Sequence, residues 1–289
     1  MTLVALLTRI GLIIGTLLGV STLAIVGIPR LRRLRRTGRS RLWRALPYLV
    51  LLGTVLLVNN QTREFVPEVS WFLGLDITGA IYDVEGTFVA WVQGFATPEL
   101  TAFFSFVYIY GYVLLLTFPI VAYLALDDQR PLREACLAYS YNYVLGLVLY
   151  TVFIAYGPRN LIPEAVDSLM YTNWPESQLL TSQINTNTNV FPSLHASLSV
   201  TVALLAVRTR RSYPAWLYLA VALALCVVTS TMYLGIHWGV DVLAGATLGA
   251  VSVVAAREVD VVALVQARTD GRIARRGEAL WERVRRSRR

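Results

Sequence analysis

The chain has 289 residues, of which 56% are hydrophobic and 15% are charged, and its formal net charge is +8. This composition leaves too few charged side chains to cover a soluble domain, and it is the opposite of the polar composition that keeps a chain disordered. The two cysteines, Cys136 and Cys226, lie inside apolar runs, where cysteine usually acts as a small buried hydrophobic residue, so they predict no disulfide scaffold.

Seven apolar segments predict helices that cross a membrane, because a bilayer core of about 30 Å requires roughly 20 residues of helix. In chain order they are 3–28, 45–59, 100–126, 132–156, 192–209, 213–234 and 237–256. The second segment is short, but an arginine-rich stretch precedes it and polar residues follow it. The sequence therefore predicts an all-α polytopic membrane helix bundle, in which segments two to seven form a six-helix core and segment one is an addition.

The arginines indicate the topology, because all 26 basic residues are arginine and basic residues accumulate in cytoplasmic loops. If the N-terminus is extracytoplasmic, 23 of the 26 lie on the cytoplasmic side. The three others are Arg9, Arg63 and Arg159. Because eight arginines follow residue 29 and one precedes it, we expect an uncleaved first helix and not a signal peptide.

The predicted organisation has four parts: an N-terminal transmembrane helix (1–29), a cytoplasmic arginine-rich loop (30–44), a six-helix membrane domain (45–256) and a basic cytoplasmic tail (257–289). The outer segment 60–99 mixes aromatic residues with acids and glycines, and we expect it to lie at the membrane interface. The tail carries ten arginines among apolar residues. That composition favours contact with anionic lipid head groups over binding of nucleic acid.

The two histidines of the chain lie at predicted outer helix ends. Proline is favoured as the first residue of a helix, so Pro192 predicts that Ser193 and His195 fall in the first turn of the fifth segment. Unpaired backbone N–H groups in such a turn attract anions, and phosphate is the natural ligand.

His237 and Asp241 are four residues apart, so on a helix they lie on one face within contact distance. The carboxylate can then orient the imidazole as a base or nucleophile, and a structural polar pair between two helices is the alternative. Arg159 lies at the outer end of the fourth segment and carries a guanidinium suited to phosphate oxygens. Taken alone it would be interpreted as an exposed loop arginine. Together the three helix ends predict a phosphoryl-transfer site.

Two motifs resemble those of the type 2 phosphatidic acid phosphatase superfamily of membrane enzymes. Residues 192–195, Pro-Ser-Leu-His, are similar to its second motif, Pro-Ser-Gly-His. The third motif reads Ser-Arg, five residues, His, three residues, Asp. This chain has Ser230, Thr231, His237 and Asp241 at that spacing.

The stretch 191–196 is closer to one branch of that superfamily, which contains the inositol phosphorylceramide synthases and sphingomyelin synthases. The resemblance to that branch implies transfer of a head group and not hydrolysis. In helix order the resemblance spans roughly residues 95 to 256.

The chain departs from the superfamily pattern where two cations are expected. Thr231 stands where the third motif has arginine, and Val152 and Asn160 stand where the first motif has lysine and proline. Of the first motif, Arg159 alone is retained. Fewer cations favour a phosphodiester or a diphosphate-linked head group over a dianionic monoester.

The resemblance also implies a mechanism. His237 would attack phosphorus and form a phosphohistidine while Asp241 orients the ring, and His195 would protonate the leaving oxygen. Arg159 and the backbone around Ser193 would hold the non-bridging oxygens. Two further candidates for phosphate contact, for which packing is the alternative role, are Ser230 and Tyr233. No metal and no other cofactor is expected.

Three functions follow from these observations. The first is an integral membrane phosphotransferase that moves a phosphorylated head group between lipids on the extracytoplasmic face of the cell membrane. The second is a lipid phosphate or polyprenyl diphosphate phosphatase that uses water. The third is a non-catalytic membrane transporter or scaffold. The expected partners are the bilayer and membrane lipids with phosphate-containing head groups, with no nucleic acid, while the donor, the acceptor and the oligomeric state stay open.

Overall fold

The computed structural model describes residues 3–62, 65–175 and 190–269. Apart from one two-residue strand pairing, these residues form helices and connections, so the predicted all-α bundle is confirmed. The helices are α1 Leu3–Ser21, α2 Gly27–Thr62, α3 Val66–Leu73, α4 Thr78–Glu85, α5 Phe88–Gln93, α6 Pro98–Phe106, α7 Tyr112–Leu124, α8 Arg130–Val152, α9 Pro158–Leu161, α10 Leu169–Asn173, α11 Leu194–Arg208, α12 Pro214–Tyr233 and α13 Gly239–Glu258. Single π-helical turns, Thr22–Val26 and Val107–Gly111, join α1 to α2 and α6 to α7.

Four helical stretches of the described residues are long and apolar enough to cross a membrane: Val4–Thr62, Pro98–Leu124, Arg130–Val152 and Pro214–Tyr233. The first contains two of the predicted segments, and α11 is a shorter apolar helix. Large apolar side chains remain exposed on the outside of the bundle, as in Leu12, Leu225 and Leu243. Such exposure is expected where lipid replaces water around a helix bundle.

The stretch 30–44, predicted to be a loop, is helical and belongs to α2. Arginine is a good helix former, so a run of arginines without proline does not interrupt a helix. The chain changes direction at Gly27, whose φ of 78° is accessible to glycine. Arg41 then donates to the carbonyl of Leu126 and pairs with Asp127, which ties this helix to the connection between α7 and α8.

The bundle is centred on α8, which packs against α2, α7, α11 and α13. Two glycines of α13 allow α11 to approach closely. A Cβ at Gly245 would collide with the carbonyl oxygen of Ser193, and one at Gly249 with that of Ser197. Small residues spaced four apart are a common means of close helix contact in membranes. This contact brings the beginnings of α11 and α13 side by side.

A buried polar cluster joins α8 to α11 and α13 in the middle of the bundle. Asn142 of α8 donates to Thr201 Oγ1 (2.8 Å) and accepts from the hydroxyl of Ser197. Thr201 in turn donates to the carbonyl of Ser197 at 2.9 Å and lies 3.4 Å from that of Gly249. Such hydrogen bonds between helices hold a fixed register where no water is present.

The outer segment folds as three short helices, α3 to α5, and one short strand. That strand, Leu75–Asp76, pairs in parallel with Phe153–Ile154 at the end of α8. The side chains of Trp71, Phe72 and Trp91 are exposed, and the interfacial position of this segment stays a prediction. The segment therefore covers the same end of the bundle as the beginnings of α11 and α13.

The predicted basic tail is described only at its beginning. Residues 257–269 are helical apart from the two residues that follow α13. Residues 270–289 of the tail, and Arg63, lie outside the described residues.

Candidate active site

His237 lies in the connection between α12 and α13. It precedes α13, which begins at Gly239 with Trp238 as its N-cap, so the expectation that His237 sits on a helix is wrong. Gly235 makes the turn possible with a φ of 69°, and a Cβ there would lie 2.8 Å from Val166 Cγ1. The N–H of His237 donates to the carbonyl of Thr231 (3.1 Å), and its side chain is buried.

Asp241 reaches His237 because it caps the helix and not because the two residues share a helix face. Its Oδ2 accepts a hydrogen bond from the N–H of Trp238 (2.9 Å), which turns the carboxylate back toward the helix start. The same oxygen lies 3.4 Å from His237 Nδ1, longer than an ordinary N–H···O hydrogen bond but within ion-pair distance. Because Nδ1 of His237 faces the carboxylate, Nε2 is the ring nitrogen that can attack.

His195 is the second residue of α11, and its ring centroid lies 6.5 Å from that of His237. The imidazole packs between two tyrosine rings, with centroid distances of 4.4 Å to Tyr108 and 4.3 Å to Tyr112. The structure thus brings together the two histidines of the chain, which are 42 positions apart in the sequence. The tyrosines belong to the π-helical turn and the start of α7, and the sequence analysis did not single them out.

Ser193 connects the two helix beginnings. It is the N-cap of α11, so the helix starts after Ser193 and not at Pro192 as expected, because the hydroxyl accepts from the N–H of Ala196 (3.3 Å). Its own N–H donates to the carbonyl of Asp241 (3.0 Å). The amide and the hydroxyl of Ser193 are therefore already engaged in joining α11 to α13.

Arg159 lies against the turn that carries His237. Its N–H donates to the carbonyl of Gly235 (3.2 Å), and a Cβ at Gly157 would lie 2.5 Å from the carbonyl oxygen of Ile236. The guanidinium lies over the ring of Tyr171, and Nη2 donates to the hydroxyl of that residue at 3.2 Å. Nη1 is buried and has no hydrogen-bond partner among the described residues. A buried N–H without an acceptor reduces the stability of the fold. An oxyanion can supply the missing acceptor.

Ser230 and Tyr233 form hydrogen bonds with groups other than the imidazoles. The Ser230 hydroxyl donates to the carbonyl of Val227 in its own helix (2.6 Å). The Tyr233 hydroxyl lies 2.9 Å from Thr101 Oγ1 and its ring contacts that of Phe104. Contact between these two side chains and phosphate stays a prediction.

Glu85 is the residue at this site that the sequence analysis missed. Its carboxylate accepts hydrogen bonds from the N–H groups of Gly239 (2.7 Å) and Val240 (2.9 Å), the first two residues of α13. An anion at a helix N-terminus is favoured by the helix dipole. Glu85 is 154 residues from Gly239 and no motif contains it. The one available signal was that the start of α13 needs acceptors.

Gln93, also in the outer segment, connects the turns around the site. Its Nε2 donates to the carbonyls of Asp167 (2.9 Å) and Tyr233 (3.0 Å), and its Oε1 accepts from the N–H of Asp167 (2.8 Å). The outer segment thus supports the connection from α12 to α13 at both ends, through Gln93 at one and Glu85 at the other.

The assembled groups have the chemistry of anion transfer. A buried imidazole faces a carboxylate, and the ring centroid of a second imidazole lies 6.5 Å from that of the first. The backbone of Arg159, whose Nη1 has no hydrogen-bond partner in the described part of the chain, bonds to the turn before His237. A phosphate between the rings would need to lie roughly 3 Å from each reacting nitrogen for attack and for proton donation, and the two rings face the same region with centroids 6.5 Å apart. Within the described ranges, no group of three or more His, Cys, Asp or Glu side chains could hold a metal ion.

Comparison with known proteins gives one match. A family model described as the PAP2 superfamily matches residues 79–255, which is more than half of the chain. The match begins upstream of the residue 95 expected from the motifs, so it includes Glu85 and Gln93. No curated protein and no solved structure matches the chain.

Proposed function

The chain belongs to the PAP2 superfamily, and we propose that it is an integral membrane phosphotransferase that moves a phosphorylated head group from one lipid to another. Members of this superfamily are generally phosphatases or phosphotransferases. The observation that supports a covalent mechanism best is the pair of imidazoles with ring centroids 6.5 Å apart, one of them facing a buried carboxylate.

In the proposed first half-reaction, Nε2 of His237 attacks phosphorus and a P–N bond forms. The P–O bond to the donor lipid breaks, and His195 transfers a proton to the leaving oxygen. Asp241 stabilises the positive charge that develops on the ring of His237. In the second half-reaction, His195 takes a proton from the acceptor hydroxyl, whose oxygen attacks phosphorus and releases His237.

We assign Arg159 to the non-bridging oxygens, because its buried Nη1 lacks a hydrogen-bond partner in the described part of the chain. Thr231 brings no cation, and its hydroxyl donates to the carbonyl of Val228 (2.7 Å). A single guanidinium matches a phosphorus centre with one negative charge, as in a phosphodiester or a diphosphate-linked head group. This charge argument and the stretch 191–196 both support the branch of inositol phosphorylceramide and sphingomyelin synthases.

The decisive assay offers the purified full chain a radiolabelled phospholipid or polyprenyl diphosphate, with and without a lipid alcohol. We expect a labelled lipid product that requires the alcohol, and we expect His237→Asn to abolish it. The matched control is Asp83→Asn at an exposed outer carboxylate, which should retain the activity. Release of free phosphate without an alcohol would show the phosphatase, and unchanged turnover by His237→Asn would leave a non-catalytic role for the histidine.

We also propose that the site faces the extracytoplasmic side and that the arginine-rich ends face the cytoplasm, because arginine accumulates in cytoplasmic loops. The test uses Asp83→Cys and Arg39→Cys, both at exposed positions, with a membrane-impermeant maleimide on intact cells. Labelling of Asp83→Cys alone is expected. Labelling of Arg39→Cys alone would reverse the orientation.

A further inference from the structure

A cavity of about 360 Å³ lies between α2 and the beginning of α8, at the end of the bundle opposite the imidazoles. Its lining includes Arg44, Tyr48, Asp128, Arg130 and Arg133. One of these arginines pairs with Asp260 just beyond α13, whereas the imidazoles lie at the start of that helix. Because α13 has 20 residues, roughly 30 Å of helix separates the two places.

The charges of this cavity are not balanced by the chain. Three arginines face one aspartate, whose Oδ1 accepts from the backbone N–H of Arg130 (2.9 Å). Arg133 pairs with Asp260 (3.4 Å). In the part of the chain that the structure describes, the guanidinium groups of Arg44 and Arg130 have no ion-pair partner.

Neighbouring arginines of α2 behave differently. Arg33 and Arg41 share the carboxylate of Asp127, at 2.6 Å and 2.5 Å. The fold therefore supplies a carboxylate to the arginines that fasten α2 and to Arg133, but it supplies no ion-pair partner to Arg44 and Arg130 among the described residues. Two guanidinium groups around one cavity match the geometry and charge of a phosphate group.

Exposed apolar side chains of α2 lie beside the cavity. Trp43 precedes Arg44 and its side chain is exposed, and Val50, about two turns further along α2, is also exposed. Tryptophan beside arginine is typical of a helix position at the head-group level. A ligand that carries both a phosphate and acyl chains would pair with the arginines and cover the adjacent apolar side chains.

We propose that this cavity binds the phosphate-bearing head group of an anionic lipid from the leaflet at the arginine-rich end. Basic pockets between membrane helices are a known physical means of holding such head groups. Free phosphate presents the same charged group, so the experiment has to separate the two sources. The inference does not depend on the reaction at the imidazoles.

The test compares retention of phosphatidylglycerol and phosphatidylcholine by the full chain in detergent, measured by native mass spectrometry. At about 1 kcal/mol per arginine, Arg44→Gln or Arg130→Gln should weaken phosphatidylglycerol retention about 5-fold and the double variant about 30-fold. The control is the double variant Arg36→Gln, Arg39→Gln, which removes the same charge from exposed positions of α2. It should retain the lipid as the wild type does.

Three results would overturn the proposal. Equal loss in both double variants would indicate a general basic surface, and retention unchanged in all variants would exclude the cavity. Displacement of phosphatidylglycerol by millimolar inorganic phosphate would assign the cavity to free phosphate. Thermal unfolding of each variant distinguishes a loss of lipid binding from a loss of folding. If the double variant is unstable, the two single variants still test the proposal.

Discussion

Two buried polar clusters lie along the same contact between α11 and α13, and they differ in how their hydrogen bonds are satisfied. In the middle of the bundle, Asn142, Ser197 and Thr201 donate to and accept from one another. At the imidazole end, His237 Nδ1, Asp241 Oδ1 and Arg159 Nη1 are buried without a hydrogen-bond partner among the described residues.

The difference indicates what each cluster is for. Buried polar groups that satisfy one another fix helix positions, whereas unsatisfied ones reduce stability unless a ligand completes them. Three of the eight buried side-chain atoms that lack a partner in the described ranges belong to the imidazole cluster. We therefore expect changes at the imidazole end to affect turnover, and changes in the middle cluster to affect the free energy of unfolding.

The largest effect is expected from His237→Asn, which removes the proposed nucleophile. Turnover should fall by at least about 10⁴-fold. The melting temperature should change little, because asparagine keeps a polar amide at the position that faces the buried Asp241 carboxylate. A large drop in melting temperature together with modest loss of turnover would reverse the assignment of the two clusters.

Two arginines, Arg41 with a buried side chain and Arg159 with a buried Nη1, sharpen the comparison. Arg159→Gln should reduce kcat by about 10²- to 10³-fold, as expected when a group that stabilises the transition state is lost. Arg41→Gln should instead lower the melting temperature and leave turnover per folded molecule unchanged, because Arg41 donates to Leu126 and pairs with Asp127. Similar kinetic effects of the two substitutions would contradict this distinction.

Asn142→Ala tests the middle cluster. It leaves the hydroxyl groups of Ser197 and Thr201 with fewer partners, and we expect a loss of about 1–2 kcal/mol in the free energy of unfolding. Turnover per folded molecule should change less than about twofold. Chemical denaturation in detergent measures the first quantity, and the transfer assay measures the second.

Glu85→Gln should have a smaller and purely positional effect. Losing the charge at the start of α13 should reduce the free energy of unfolding by about 1 kcal/mol. We expect a smaller loss of kcat than in Arg159→Gln, with KM unchanged because Glu85 bonds the backbone of α13. Glu85→Asp should recover part of kcat, and Asp83→Asn is the exposed control. A change in KM alone would indicate that Glu85 contacts substrate.

The smallest effect concerns pH at the arginine-rich end. The hydrogen bond from Arg41 lowers the pKa of Asp127 below its ordinary value of 3.8. The pair therefore stabilises the fold above about pH 4, and that contribution is lost as the pH falls through the lowered pKa. Acid unfolding of the wild type and of Asp127→Asn should show a difference in stability that disappears at low pH. A difference that persists there would contradict the ion-pair account.

The sequence predicted the parts of this molecule that depend on local pattern. Apolar segments predicted the membrane helices, and the scarcity of histidine drew attention to His195 and His237. The positions of helix starts were less accurate, because Ser193 and Trp238 act as caps, and α11 and α13 each begin two residues later than predicted. The arginine-rich stretch 30–44 is helical and not a loop, because arginine is a good helix former and the stretch contains no proline.

Long-range contacts explain the rest. Nothing near Glu85 in the sequence predicts that it caps a helix 154 residues away. The sequence made Ser230 and Tyr233 candidates for phosphate contact, but it could not show that Val227 and Thr101 provide their hydrogen-bond partners. The spacing of residues along a helix indicates which way their side chains point. Their hydrogen-bond partners depend on how other helices pack against them.

The most direct measurement is to trap the proposed intermediate. The purified full chain is mixed with a radiolabelled donor lipid, quenched in alkali, which preserves phosphohistidine, and digested for mass spectrometry. We expect label and phosphate on the peptide that contains His237, and none in His237→Asn. Phosphate on another residue, or full turnover without any phosphorylated peptide, would contradict the proposal that the imidazole facing Asp241 bonds to phosphorus.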